Sequence, residues 1–155
     1  MFKKILSLIT IILILLLARE FLKEDHNQFP EYKVTRVIDG DTLEIKFEDG
    51  IKKLRLIGID APESVHPDKD KNTEFGKIAS EFTKQRLENK KVGVEYDAQL
   101  FDRYGRVLAY IYLDGEMYNE IMLREGMATI MTISPNVKYV DRFFESQEEA
   151  KANKK

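Results

Sequence analysis

The sequence reads VIDGDT at residues 37–42 and LRLIGIDAPE at residues 54–63, two apolar segments that each run into acidic residues. Alternating apolar and polar positions predict a β-strand in each segment. If the two strands pair in one sheet, four charged side chains come together at its end: Asp41, Asp60, Glu63 and Arg55. Three carboxylates and a guanidinium in one place suit a divalent cation and a phosphate group.

The composition excludes several kinds of site. The chain of 155 residues is 43% hydrophobic, as expected for one folded domain with appendages. It has no cysteine, which rules out disulfides, thiolate metal sites and a cysteine nucleophile, and its two histidines disfavour a multi-histidine zinc site. A metal bound here would therefore be a hard cation such as Ca²⁺ on oxygen ligands. The net charge of -2 does not indicate a strongly basic nucleic-acid binder, so a phosphate site must be a local arrangement.

The first residues have the pattern of an export segment. Residues 1–19 begin with lysines and continue into residues 5–18, which are almost all aliphatic. This is the order of a secretory signal, but no small-residue cleavage site follows Ala18. We therefore predict either a cleaved signal peptide or a retained membrane anchor, with the rest of the chain outside the cytoplasm. Residues 20–31 are polar and charged and predict a linker, followed by a folded domain over residues 32–155.

The predicted elements indicate an α+β domain behind a hydrophobic N-terminal helix. Apolar periodicity and Asp-Gly turns predict strands at residues 32–38, 42–47, 52–59, 92–96 and 107–113, and helices at residues 73–89, 117–125 and from 140 onward. Residues 127–133 are apolar without a clear period. Five strands interrupted by one helix after the third match the OB-fold, and we expect the strands to close into an all-antiparallel five-stranded barrel. The open face of this fold commonly binds oligonucleotides.

Each charged motif taken alone has an ordinary structural interpretation. An Asp-Gly turn with a second acid in solvent, an aspartate that caps a turn, and an arginine whose stem packs on a sheet are all common. Their occurrence together favours a site, because adjacent carboxylates repel one another unless a cation or an arginine lies between them. A phosphate-binding arginine and a further carboxylate within reach of water complete a hydrolytic set.

Four separated segments resemble the thermonuclease family, also called micrococcal or staphylococcal nuclease. They are IDGDT at 38–42, RLIGIDAPE at 55–63, FG at 75–76 with ASEFT at 79–83, and DRYGRVLAYIY at 102–112. The similarity runs in order from about residue 32 to about residue 149. It implies an OB-fold barrel with three helices.

The resemblance also implies a metal site and a residue that activates or positions the attacking water. Asp41 and Asp60 match the family's Ca²⁺-ligating carboxylates, and Ala61 matches a residue that supplies a backbone carbonyl, where the family often has threonine. A carbonyl ligand tolerates this change of side chain. Glu63 matches the residue that activates the attacking water as a general base or positions it.

The remaining implied roles concern binding of the substrate's phosphate group and of its nucleotide base. Arg55 and Arg106 match two arginines that bind the phosphate and stabilise its five-coordinate transition state, and Tyr104 matches an aromatic residue in the nucleotide pocket. The family usually has tyrosines after the second helix, whereas residues 129–134 contain no aromatic residue. Since stacking on a ring contributes about 1–3 kcal/mol per base, this difference predicts an altered nucleotide affinity.

The implied activity is Ca²⁺-dependent hydrolysis of DNA and RNA by a monomer, breaking the bond to the 5′ oxygen and leaving 3′-phosphate ends. The main alternative is an OB-fold module that binds single-stranded nucleic acid without cutting it. Relatives of that kind lose the acids and arginines, whereas this chain has them all. A second alternative, an adaptor at the membrane surface that docks a protein, predicts no calcium site and no phosphate affinity.

Overall fold

The computed structural model describes residues 28–64 and 72–155. The strands are β1 Glu31–Asp39, β2 Thr42–Phe47, β3 Gly50–Leu56, β4 Gly58–Asp60, β5 Lys91–Glu95, β6 Val107–Leu113, β7 Glu116–Met117 and β8 Thr129–Met131. The helices are α1 Glu74–Leu87, α2 Tyr118–Arg124 and α3 Val140–Ala152. The five predicted strands and three predicted helices agree with these bounds to within a few residues, apart from the differences described below, and the two-residue strand β7 was not predicted.

Five strands form a closed barrel. β1, β2 and β3 make an antiparallel meander, and β5 pairs with both β1 and β6. The barrel closes through a parallel pairing of β3 with β6, in which Leu54 lies opposite Val107 and Leu56 opposite Ala109. The predicted OB-fold with three helices is therefore confirmed, but the expectation that all its strands are antiparallel is wrong. Parallel neighbours require a long connection, and β3 and β6 are joined through α1 and β5.

The strand predicted over residues 52–59 is two strands. Ile57 separates β3 from β4, because its carbonyl accepts a hydrogen bond from Asn119 Nδ2 (2.8 Å) while its N–H donates to the Ala109 carbonyl (3.0 Å). Gly58 follows with φ of +79°, a conformation that favours glycine. β4 then pairs with β8, a strand inside the apolar segment 127–133 that showed no clear period. The break moves the segment that carries Asp60 from the barrel sheet into a separate two-stranded sheet.

The first helix lies against β1 and begins at the predicted position. Thr73 caps it, since its hydroxyl accepts a hydrogen bond from the Gly76 N–H (2.8 Å). Its buried face is made of small and medium side chains, which allows a close approach to the barrel: Gly76, Ala79, Thr83 and Leu87.

The predicted segment 1–19 and most of the predicted linker 20–31 lie outside the described residues. Within residues 28–64 and 72–155, no helix is long and apolar enough to cross a membrane. The last residues of the linker contact the barrel: the Phe29 ring lies 4.7 Å from the Tyr112 ring, and the Val94 N–H donates to the Pro30 carbonyl (2.9 Å).

Candidate functional site

Arg55 lies at the centre of the charged residues predicted from the sequence. It is 7% exposed on β3, and its Nη2 atom lies 3.1 Å from Asp41 Oδ2 and 2.8 Å from Asp60 Oδ1. Its Nη1 atom donates to the carbonyls of Leu56 (3.0 Å) and Ile59 (2.8 Å). One guanidinium thus ties the start of β2 to β4, so the structure brings Asp41, Asp60 and Arg55 together.

Asp41 is buried, with three polar contacts to its carboxylate and a fourth to its backbone carbonyl. It is 5% exposed. Besides Arg55, its Oδ2 accepts a hydrogen bond from the Ala61 N–H (2.6 Å), and its Oδ1 accepts one from the Thr42 hydroxyl (3.0 Å). Its backbone carbonyl accepts from the Leu56 N–H (3.0 Å). Burial raises the pKa of the Asp41 carboxyl, while the charge of Arg55 acts in the opposite direction. Additional positive charge beside Asp41 would favour its ionised form.

The turn between β1 and β2 is held by groups that the sequence patterns did not reveal. The Thr83 hydroxyl on α1 donates to the Gly40 carbonyl (2.8 Å) and accepts from the Tyr118 hydroxyl on α2 (3.2 Å). Burial raises the pKa of Tyr118 to about 12, so its hydroxyl remains a donor at neutral pH. Both side chains are fully buried. Thr83 ends the quoted segment 79–83, but nothing in that segment indicates a contact with the Gly40 carbonyl.

Glu63 is positioned by contacts at its own carbonyl and at the next residue, Ser64. The Ser64 hydroxyl donates to Asp39 Oδ1 (2.7 Å), and the Thr73 N–H donates to the Glu63 carbonyl (3.0 Å). Helix α1 packs closely on this carbonyl at Gly76, where a Cβ atom would lie 2.1 Å from the Glu63 oxygen. A glycine is therefore required there for Glu63 to lie where it does.

Arg106 is oriented by a carboxylate in its own loop. Its Nε atom donates to Asp102 Oδ2 (2.7 Å), and Asp102 Oδ1 accepts from the backbone N–H groups of Tyr104 and Arg106 (2.9 Å each). Burial acts to raise the pKa of Asp102, but these hydrogen bonds together with the charge of Arg106 hold it below its usual value. Asp102 is thus a charged anchor for Arg106, a role that sequence reasoning missed.

Two cavities meet at the arginines. The first, which we call the acid cavity, has a volume of about 320 Å³ and is lined mainly by charged side chains: Asp39, Asp41, Asp60, Glu63, Lys53, Arg55 and Arg106. The second, which we call the apolar cavity, has a volume of about 460 Å³; its lining includes Arg55, Arg106, Tyr104, Leu108, Met131 and Ile133. Arg55 and Arg106 therefore line both cavities.

Tyr104 and the segment without aromatic residues both lie at the apolar cavity. The Tyr104 ring is 67% exposed, and the guanidinium groups of Arg103 and Arg106 lie 4.7 Å and 5.5 Å from its centroid. Met131 and Ile133 supply aliphatic surface in the segment where the resemblance leads one to expect tyrosines. The cavity thus offers one ring face and an aliphatic wall.

The donor atoms of the acid cavity suit a hard cation. Over residues 28–64 and 72–155, no three His, Cys, Asp or Glu side chains already stand in an arrangement that would hold a metal ion. However, oxygens of Asp41 and Asp60 contact the same Arg55 nitrogen, and Ala61, which brings a backbone carbonyl, follows directly. The lining has four acids against three basic groups, which leaves one negative charge. Oxygen donors with excess negative charge fit a cation such as Ca²⁺.

Comparisons with known proteins show which family this chain resembles. The family model described as staphylococcal nuclease homologue matches residues 53–155. The chain is 48% identical to a thermonuclease of Staphylococcus hyicus over 124 residues, which cover 80% of this chain and 73% of that protein. It is 44% identical to a thermonuclease of Staphylococcus intermedius over 77% of this chain and 70% of the relative. It is 36% identical to the endonuclease YncB of Bacillus subtilis (strain 168), over 77% of this chain and 57% of that protein.

The family model extends through β3, the helices and the loop of Arg106, and the resemblance to thermonucleases predicted from the four sequence segments is confirmed. From its sequence and its barrel, the chain belongs to the staphylococcal nuclease homologue family.

Proposed function

We propose that the protein is a Ca²⁺-dependent nuclease that hydrolyses phosphodiester bonds in DNA and RNA. The observation that carries this proposal is that Arg55 and Arg106 line both the acid cavity and the apolar cavity. A phosphate bound between the two guanidinium groups would have a base on its apolar side and carboxylates on the other. This arrangement would place a scissile phosphate beside carboxylates that can activate a water molecule and bind a cation.

In the proposed reaction, a water oxygen attacks phosphorus and the bond from phosphorus to the 5′ oxygen breaks. The products are a 3′-phosphate end and a 5′-hydroxyl end, the latter formed as the leaving oxygen takes up a proton. Glu63 lines the acid cavity. We propose that its carboxylate contacts the attacking water and either accepts a proton from it or holds it in position. Arg55 and Arg106 bind the phosphate oxygens, on which negative charge grows in the five-coordinate transition state.

Ca²⁺ would be held by the carboxylates of Asp41 and Asp60 and the backbone carbonyl of Ala61. When bound, the ion supplies positive charge beside the phosphate. The support for this assignment is the burial of Asp41 and the excess of acids in the cavity, both of which a divalent cation would offset.

The apolar cavity is the proposed base-binding surface. Tyr104 offers a ring for stacking, and Met131 and Ile133 offer aliphatic contacts. Because aliphatic contacts do not discriminate between bases through ring stacking, we expect weak base preference. We further propose that the protein acts outside the cytoplasm, since residues 1–19 have the pattern of a signal peptide or membrane anchor. We also propose that it acts as a monomer.

The test is incubation of the full chain with plasmid DNA and with single-stranded RNA, first with Ca²⁺ and then with excess chelator. We expect cleavage only with Ca²⁺, and fragments whose 3′ ends can be labelled only after phosphatase treatment. Binding of single-stranded nucleic acid without cleavage in Ca²⁺ would replace the nuclease with the non-catalytic OB-fold module. Absence of both binding and cleavage would favour the membrane-surface adaptor.

Asp41→Asn should raise the Ca²⁺ concentration needed for half-maximal cleavage by at least about tenfold, because one charged oxygen ligand is lost. The same variant should unfold at a higher temperature than the wild type in chelator, since burial disfavours the Asp41 charge, as its raised pKa indicates, while Arg55 keeps its ion pair with Asp60 and an amide oxygen can still accept from the Ala61 N–H. Calcium titration and thermal unfolding measure the two effects. A wild-type calcium requirement would remove Asp41 from the proposed metal site.

Gly76→Ala should lower turnover by about tenfold or more. A Cβ atom in ideal geometry at residue 76 would lie only 2.1 Å from the Glu63 carbonyl oxygen, so the new methyl group must displace that carbonyl. Lys77→Ala is the matched control, since Lys77 is the next residue of α1 and is exposed. Turnover and circular dichroism are measured for both variants. If a folded Gly76→Ala protein retains full turnover, the exact placement of Glu63 does not limit the reaction.

A further inference from the structure

A third cavity lies at the opposite end of the barrel. We call it the aromatic cavity; it has a volume of about 370 Å³, and its lining includes Tyr32, Phe47, Tyr96, Phe101, Glu48 and Asp49. Tyr32 lies near the start of β1, whereas Asp39 of the acid cavity ends this strand. At about 3.3 Å per residue, the strand separates them by roughly 23 Å. The aromatic cavity shares no lining residue with the acid cavity or the apolar cavity.

Its rings come from four separate parts of the chain. Tyr32 on β1 and Phe47 on β2 lie with ring centroids 4.6 Å apart and planes tilted by 49°. Tyr96 follows β5, and Phe101 forms a bridge to Val107 at the start of β6. Burial raises the pKa of Tyr96, as do the charges of Tyr32 and Asp49, which agrees with its place between them in the cavity. Tyr96 and Phe101 remain 41% and 48% exposed, so a ligand can reach their rings.

The charged groups at this cavity leave it negative. Asp49 forms an ion pair with Lys52, so these two charges compensate one another. Glu48 is exposed, and within the described part of the chain it forms no ion pair. The faces of aromatic rings also carry negative potential, which attracts cations held within about 6 Å of a ring centroid. Rings and carboxylate together favour a positively charged ligand and disfavour a phosphate.

We propose that the aromatic cavity binds the quaternary ammonium group of a small organic cation such as choline. A quaternary ammonium has no N–H groups to leave without hydrogen-bond partners, so apolar ring faces can replace its hydration at little cost. A primary ammonium would lose hydrogen bonds to water that these rings cannot restore. The volume is within the range of small-ligand pockets, and four rings with one uncompensated acid match the chemistry of a methylated cation.

The experiment is titration of the full-length chain with choline, followed by NMR of its tyrosine and phenylalanine rings. The comparison ligand is 3,3-dimethylbutan-1-ol, which has the shape of choline without its charge. We expect choline to bind at least about fivefold more tightly, the factor that corresponds to one cation–π contact. A second arm with phosphatidylcholine vesicles separates a lipid headgroup from the free cation as the source of the ammonium group.

Three variants sharpen the test. Phe101→Ala and Glu48→Gln should each weaken choline binding by about fivefold. The first variant removes a ring, and the second removes a negative charge while the side chain keeps nearly the same shape. Phe144→Ala is the matched control, because Phe144 is 53% exposed on α3 and does not line this cavity. Equal affinity for choline and the neutral alcohol, absence of choline binding, or equal weakening by Phe144→Ala would overturn the proposal. Cleavage by Glu48→Gln should equal that of the wild type whichever result is obtained.

Discussion

Arg55→Ala should lower the turnover of DNA cleavage by about 10²- to 10³-fold or more. Arg55 would lose its contact with the phosphate in the transition state, and the variant would also release the two carboxylates that this guanidinium holds at 2.8 Å and 3.1 Å. Asp41 would then be a buried carboxylate without its arginine, and breaking a buried ion pair costs about 3–5 kcal/mol of stability. Ca²⁺ should restore part of this stability if it binds beside Asp41.

The measurement is turnover under saturating Ca²⁺, with thermal unfolding in Ca²⁺ and in chelator. Arg36→Ala is the matched control, since Arg36 is an exposed arginine on β1 and lines neither the acid nor the apolar cavity. Arg55→Lys separates charge from geometry: it keeps the positive charge but loses the forked donors that reach Asp41, Asp60 and two carbonyls. A folded Arg55→Ala protein with wild-type turnover would contradict the proposed mechanism.

Arg106→Ala should lower turnover by about 10²- to 10³-fold with a much smaller effect on stability. Its side chain is 29% exposed, and its ion pair with Asp102 lies within one surface loop. A partly exposed pair of this kind contributes little to folding. The two arginines therefore predict different patterns, with Arg55 affecting both turnover and stability and Arg106 affecting mainly turnover.

Arg103→Ala provides the comparison for Arg106. Arg103 belongs to the same loop and lies over the same Tyr104 ring, but it lines only the apolar cavity. We expect its loss to raise KM with little change in kcat, as for a group that binds substrate and transition state equally. If Arg106→Ala likewise changes KM alone, Arg106 binds substrate without stabilising the transition state.

The part of the site that could be predicted lies within short segments of sequence. Asp41 follows an Asp-Gly turn, and Asp60 and Glu63 follow the strand that carries Arg55, so a few residues of local pattern place them near one another. The anchoring of Arg106 by Asp102 and the support of the Gly40 carbonyl by Thr83 and Tyr118 had no comparable signal. From the sequence alone, a buried polar side chain that binds a distant carbonyl cannot be distinguished from a buried polar side chain that has no such role.

The sequence by itself determined the five barrel strands, the three helices, the acids at the strand ends and the family of the chain. Only the tertiary structure decided the parallel pairing of β3 with β6, which places Arg55 opposite Leu108 and so brings the nearby Arg106 to the acid cavity. It also decided the break at Ile57, which moves Asp60 into a second sheet. The physical reason is that local patterns reflect the backbone preferences and burial of neighbouring residues, whereas strands far apart in the chain pair only where loop closure and packing of the whole core allow it.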